Sequence, residues 1–170
     1  MNALVVYESH WGNTAAVAKA IADGIGGGAR SLSTAEATPD AMAGVDLIVA
    51  GAPVIAFAVP SEKTHENISN ATNKGPSPDL AHPSMREWLQ SLPEGSGGSA
   101  AFETRLRFSP GGATKEIIRG LERLGFRSVA EPQRFFVKGQ YGPLREGELD
   151  RAHAWGAELA QARIPQLAMR

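Results

Sequence analysis

The chain alternates short, wholly apolar runs with stretches whose apolar residues recur every three or four positions, and this alternation limits the folds open to it. Ala3-Leu4-Val5-Val6-Tyr7 and Leu47-Ile48-Val49-Ala50 lack the polar alternation of a half-exposed strand and fit strands buried on both faces. Ala100-Ala101-Phe102 and Phe135-Phe136-Val137 continue the series, with residues 29–33 as a weaker member. Val17, Ile21 and Ile25 predict a helix after Thr14, ended by Gly24 and the Gly26-Gly27-Gly28 cluster. Met85, Trp88, Leu89 and Leu92 predict a helix over 84–92, and Ile117, Ile118, Leu121 and Leu124 another over 113–124, stopped by Gly125. Leu149, Ala152, Gly156 and Leu159 predict a closing helix over 146–163. Five strands alternating with helices predict an α/β fold built on a parallel sheet. Ligands of such sheets sit beyond the carboxyl ends of the strands, which directs attention to the segments after residues 7, 51 and 104.

Composition narrows the function classes. A chain of 170 residues, 42% hydrophobic and 21% charged, has the apolar material for one domain spanning 1–170. Seventeen Lys and Arg against eighteen Asp and Glu leave a net charge of −1, without the basic excess that nucleic-acid binding needs. The absence of cysteine excludes disulfides, thiolate catalysis and iron–sulfur centres, so electron handling would need a borrowed cofactor. The first residues lack the basic and apolar segments of a secretion signal, and no apolar run reaches the roughly 18 residues of a membrane span. The expectation is therefore a cytoplasmic location with no membrane partner.

The segment after the first apolar run carries the chemistry. Ser9-His10-Trp11-Gly12-Asn13-Thr14 lies between a predicted strand and a predicted helix. Backbone N–H groups at a helix start have no intrahelical partner, and the helix dipole adds positive potential there. Ser9, Asn13 and Thr14 add short donors, and Gly12 permits close backbone approach, so the pattern points to an anion held by neutral groups. There is no P-loop lysine, which excludes a nucleoside-triphosphatase loop. The plainer alternative is that Asn13 and Thr14 simply cap the helix. Gly24-x-Gly26-x-x-Ala29 matches a dinucleotide fingerprint only as text, because it follows a helix rather than a strand.

The run Val5-Val6-Tyr7-Glu8-Ser9-His10-Trp11-Gly12-Asn13-Thr14, continued by Ala15-Ala16-Val17-Ala18-Lys19-Ala20-Ile21, resembles the phosphate-loop signature of the flavodoxin family. The resemblance extends more loosely through Asp46–Pro53, Phe102-Glu103-Thr104-Arg105, and Gly139-x-x-Gly142-Pro143-Leu144 into the last helix. It implies a doubly wound five-stranded sheet of order 2-1-3-4-5 with helices on both faces, and non-covalent FMN as cofactor. By position, Ser9, His10, Trp11, Gly12, Asn13 and Thr14 would hold the FMN phosphate. Trp11 stands where the family commonly has a hydroxyl residue; its indole N–H would replace that donor, or its ring would cover the ribityl chain. A second loop, with Ala52, Pro53, Val54 and Phe57, would pack a face of the isoalloxazine, although no glycine follows Phe57 to ease a peptide flip. A third, with Thr104, Arg105, Leu106 and Arg107, would border its other edge. There the two arginines would stabilise an anionic reduced flavin, or else stand in solvent or pair with Glu103.

The resemblance implies electron transfer to a protein redox partner or a small-molecule electron acceptor, by a monomer or small homo-oligomer. The near-neutral charge leaves little field to steer the chain onto a basic partner. The alternatives are an FMN-dependent quinone or small-molecule reductase, and a flavin-free binding module on the same fold. A polar stretch at about 58–83, rich in proline and without helical or strand periodicity, reads as a long loop and a candidate lid. Two glycosylation sequons, Asn67-Ile68-Ser69 and Asn70-Ala71-Thr72, read as coincidence within it. The histidines at 10, 65, 82 and 153 show no ligand spacing, so no metal site is expected, and no residue is assigned a catalytic role.

Overall fold

The computed structural model describes residues 1–55, 58–70, 75–162 and 164. In chain order the elements are β1 (Ala3–Tyr7), α1 (Asn13–Ile25), β2 (Arg30–Ser33), β3 (Leu47–Pro53), α2 (Glu62–Asn70) and α3 (Met85–Ser91). They continue as β4 (Gly97–Leu106), α4 (Thr114–Arg123), β5 (Phe126–Ser128), β6 (Gln133–Val137) and α5 (Glu148–Leu159). The sheet runs β2-β1-β3-β4-β5, all pairs parallel, with β6 also on β4. The expected order 2-1-3-4-5 is thus the observed one.

The predicted fifth strand differs in detail. Its place beside β4 is shared: β5 pairs with Gly97–Ser99, and β6 with Phe102–Leu106. The three-residue β5 has one inward apolar side chain, Phe126, which is too little to produce a recognisable period.

Period-two alternation in the central strands builds two cores. Leu4, Val6, Ile48 and Ala50 face α3 and α4, where they meet Met85, Trp88, Ile117 and Leu121. Ala3, Val5, Leu47 and Val49 face α1 and α5, where they meet Val17, Ile21, Trp155 and Leu159. Both faces are covered, which is why these strands read as unbroken apolar runs. Trp88 is fully enclosed and still satisfies its indole N–H, which donates to the Ala37 carbonyl at 2.8 Å. Gly24 and Gly156 explain the close approach of α1 to α5. A Cβ at Gly24 would lie 2.0 Å from the His153 carbonyl oxygen, and one at Gly156 2.2 Å from that of Ile21. Among the described residues, no helix is long and apolar enough to cross a membrane.

The polar stretch expected to be a loop contains α2. Its start is capped reciprocally: the Thr64 N–H donates to Ser61 Oγ, and the Ser61 N–H donates to Thr64 Oγ1. None of Glu62–Ser69 is fully buried, so the helix has no apolar stripe to betray it in the sequence.

Candidate functional site

The carboxyl ends of β1, β3 and β4 open onto one cleft. Its base is the turn from β1 into α1. Gly12 there has φ +88°, in the left-handed region that favours glycine, and precedes the first helical residue. Among the described residues, no side chain caps α1. Ser9 Oγ accepts instead from the Gly12 N–H at 3.1 Å, which shapes the turn and leaves the serine proton able to donate outward. Thr14 is buried and shares a 2.8 Å hydrogen bond with Thr104, tying the turn to β4. Asn13 donates through Nδ2 to the Tyr141 carbonyl at 3.2 Å. Of the two roles expected for Asn13 and Thr14, neither caps the helix. With respect to the described residues, the α1 amino terminus therefore keeps its unpaired N–H groups and positive end.

Ten of the fourteen expected site residues line this cleft: Ser9, His10, Trp11, Asn13, Thr14, Pro53, Val54, Thr104, Arg105 and Leu106. Gly12 forms the turn beneath it. Ala52 is fully buried in the core on the α3–α4 side. Arg107 is exposed, with its guanidinium 5.8 Å from the Phe108 ring centre. Phe57 lies outside the described residues.

Trp11 and Arg105 are engaged by protein partners as well. The Trp11 indole N–H donates to the Pro76 carbonyl at 3.0 Å, and its ring meets Tyr141 edge-on at 5.0 Å. It joins the turn to the polar excursion rather than supplying a donor to the cleft. The Arg105 guanidinium is buried against Glu103 at 2.8 Å and also donates to the Gly111 carbonyl. Glu103 in turn accepts from the N–H groups of Ala113 and Thr114 at the start of α4. Of the alternatives to a flavin role expected for Arg105, solvent exposure or pairing with Glu103, the pairing is observed.

Sequence reasoning missed the cluster just behind the turn. Glu8, whose side chain is fully buried, accepts from His10 Nε2 at 3.1 Å and His65 Nε2 at 2.6 Å through one oxygen. Its other oxygen accepts from the Met85 N–H at 2.8 Å. Burial alone would raise the Glu8 pKa, but hydrogen bonds from His10, Met85 and His65 together outweigh it and hold the carboxylate below its ordinary value. His82 completes the group, with its Nε2 3.0 Å from the Ser9 carbonyl oxygen. Three of the four histidines converge here although 55 residues separate His10 from His65. Only the tertiary fold creates that proximity, and no local spacing could have signalled it.

Further contacts pin the excursion to the turn and to the end of β2. The Asp79 N–H donates to the His10 carbonyl, and Thr34 Oγ1 donates to the Pro83 carbonyl. With Trp11–Pro76, His82–Ser9 and His65–Glu8, the segment is fastened along the outer side of the β1–α1 turn. From α2, Ile68 reaches the cleft wall.

No family model and no curated protein sequence matches the chain. Solved structures do. One is a flavodoxin from the domain Archaea, at 22% identity and TM-score 0.66, covering 95% of this chain and 97% of that one. Another is oxidised flavodoxin 1 from Bacillus cereus, at 18% identity and TM-score 0.65, covering 95% and 98%. The Flv1 flavodiiron core from Synechocystis matches at 19% identity and TM-score 0.56, over 95% of this chain and 35% of its own. Strand order, the layering of helices on both faces and these matches along nearly the whole chain agree: the protein has a flavodoxin-like fold.

Proposed function

We propose that the chain binds FMN non-covalently in the cleft above β1, β3 and β4 and serves in electron transfer. The observation that carries this reading is the uncapped amino terminus of α1, reached through the left-handed Gly12, at the carboxyl edge of a flavodoxin-like sheet. Unpaired N–H groups and a positive helix end suit a phosphate group, and Ser9 and Thr14 stand beside them with hydroxyls. Pro53, Val54 and Leu106 give the cleft apolar walls suited to the faces of a planar ring. Reversible uptake of one or two electrons is the chemistry that a bound flavin supplies. The protein's part is to hold the phosphate, exclude water from the ring and set the surrounding charge. Arg105 contributes little net charge to that field because Glu103 neutralises it.

A second reading, reduction of a quinone or another small molecule, is favoured by one observation. Ile68 of the excursion forms part of the cleft wall, as a lid over a substrate would. Steady-state turnover with NAD(P)H and a quinone separates this from a carrier.

The test of the main reading is a titration of FMN with the full chain, followed by flavin fluorescence. One-to-one quenching with a dissociation constant of about 1 μM or below is expected. Unchanged fluorescence up to about 100 μM protein would overturn it.

A further inference from the structure

We propose that Glu8, His10 and His65 form a binding site for a divalent transition-metal ion of the Zn²⁺ class, which clasps α2 to the β1–α1 turn. The three facing atoms, Glu8 Oε1, His10 Nε2 and His65 Nε2, form a nearly closed triangle with edges of 3.1, 2.6 and 3.3 Å. Protons satisfy at most two edges of such a triangle at once. If both imidazoles donate to the carboxylate, the two nitrogens stand 3.3 Å apart with no proton between them. If one imidazole donates to the other, the accepting nitrogen confronts an ionised oxygen with no proton to share. A single cation at the centre serves all three edges.

Dimensions and donor types agree with that occupant. Metal–ligand bonds of about 2.0–2.1 Å set ligand atoms ~3.3 Å apart in a tetrahedron and ~3.0 Å apart on an octahedral face. Two of the edges already have these lengths. The third, at 2.6 Å, is a proton-bridged contact that would open when the ion replaces the His65 proton. Two imidazoles and one carboxylate are a donor set that suits Zn²⁺ and leaves a further position open to water. His10 Nδ1 is buried and, among the described residues, has no hydrogen-bond partner, so no neighbour on the far side of the ring fixes its tautomer, and the Nδ1–H form that metal binding requires carries an unpaired N–H there. Binding requires the two Nε2 atoms to present lone pairs; each displaced proton moves to Nδ1 or to solvent.

The surroundings give the site a consequence. The side chains of Glu8 and His10 are fully buried and that of His65 is 13% exposed, so water competes weakly for the ion while the α2 side stays open for entry. No described residue of α2 is fully buried, so its attachment to the domain runs largely through His65. Metal binding would lock that attachment next to the cleft, where His10 and Ile68 both form the wall. His82 lies outside the ligand set: its ring centre is 5.8 Å from that of His10 and 5.6 Å from that of His65, and its Nε2 is held by the Ser9 carbonyl.

The experiment uses the untagged full chain, stripped with a chelator and free of flavin, so its outcome is independent of the FMN proposal. Calorimetric titration with Zn²⁺ should give one site with a dissociation constant of about 10 μM or tighter. Titration with Co²⁺ should give the visible absorption of a low-coordinate nitrogen–oxygen site. His65→Ala, checked for unchanged circular dichroism, should weaken Zn²⁺ at least ~100-fold and abolish the Co²⁺ spectrum. Glu8→Gln should do the same if it folds. His82→Ala should stay within about threefold of the parent, since it removes no ligand. Failure of the parent to bind Zn²⁺ below about 100 μM would overturn the proposal, as would a folded His65→Ala variant that binds like the parent.

Discussion

Removing the imidazole of His65 tests how the excursion is held. In His65→Ala, under a chelator, α2 loses its contact with Glu8, a 2.6 Å hydrogen bond to a carboxylate that is fully buried. Hydrogen bonds to charged groups contribute about 1.5–3 kcal/mol, and at 13% exposure little of this is lost to solvent screening. No described α2 side chain is fully buried, so no apolar contact of comparable size compensates. Glu8 keeps its bonds to His10 and the Met85 N–H, so the sheet is not left with a bare buried charge. The cost should therefore appear as local opening of α2 rather than global unfolding. At about 1.4 kcal/mol per tenfold, amide exchange in residues 62–70 should accelerate roughly 10- to 150-fold. Exchange in β1 and β3 should change little. Trypsin cleavage after the exposed Lys63 offers a second readout and should accelerate in step. Unchanged exchange in α2, or equal acceleration in β1 and β3, would refute the reasoning.

Three further outcomes follow from single contacts. Because the Glu8 carboxylate is held below its ordinary pKa, its contribution to stability is present above the unfolded value and is lost as pH falls through the folded one. Urea denaturation between about pH 3 and 5 should accordingly show a shallower loss of stability for Glu8→Gln than for the parent, and identical slopes would contradict this. Ser84 begins α3 with a full capping box: its Oγ accepts from the Glu87 N–H while Glu87 accepts from the Ser84 N–H. Ser84→Ala should cost about 1–2 kcal/mol in the same assay, and a loss under ~0.3 kcal/mol would argue against the cap. At Gly12 a Cβ would meet nothing within 4 Å, so Gly12→Ala isolates the backbone effect of φ +88°. It should cost about 1–2 kcal/mol in stability and weaken FMN measurably, since relaxing that angle moves the start of α1.

What could be read from the chain and what could not separate along physical lines. The β1 and β3 runs were legible because burial on both faces leaves no polar alternation, and α4 because Ile117 and Leu121 fall on one buried stripe. The turn at Ser9–Thr14 was legible because its chemistry is local, with a glycine, short donors and a helix start in consecutive positions. α2 was hidden because none of its described residues is fully buried and its one large apolar residue, Ile68, makes no hydrophobic period. The division of the sheet edge between β5 and β6 was hidden because β5 is three residues long. The Glu8–His10–His65 triangle was hidden for a different reason: its members meet only when the excursion folds back over the turn. The engagement of Trp11 with Pro76 was likewise a tertiary fact.

The central claim is that the start of α1 is a phosphate site, and comparing FMN with riboflavin tests it most directly. The two ligands share the ring system and differ only in the phosphate. A helix amino terminus and charge-assisted hydrogen bonds, at roughly 1–3 kcal/mol each, predict that the chain binds FMN at least ~100-fold more tightly than riboflavin. That preference should shrink on adding about 100 mM inorganic phosphate, which competes for the same N–H groups. Equal affinities for the two ligands would contradict the account.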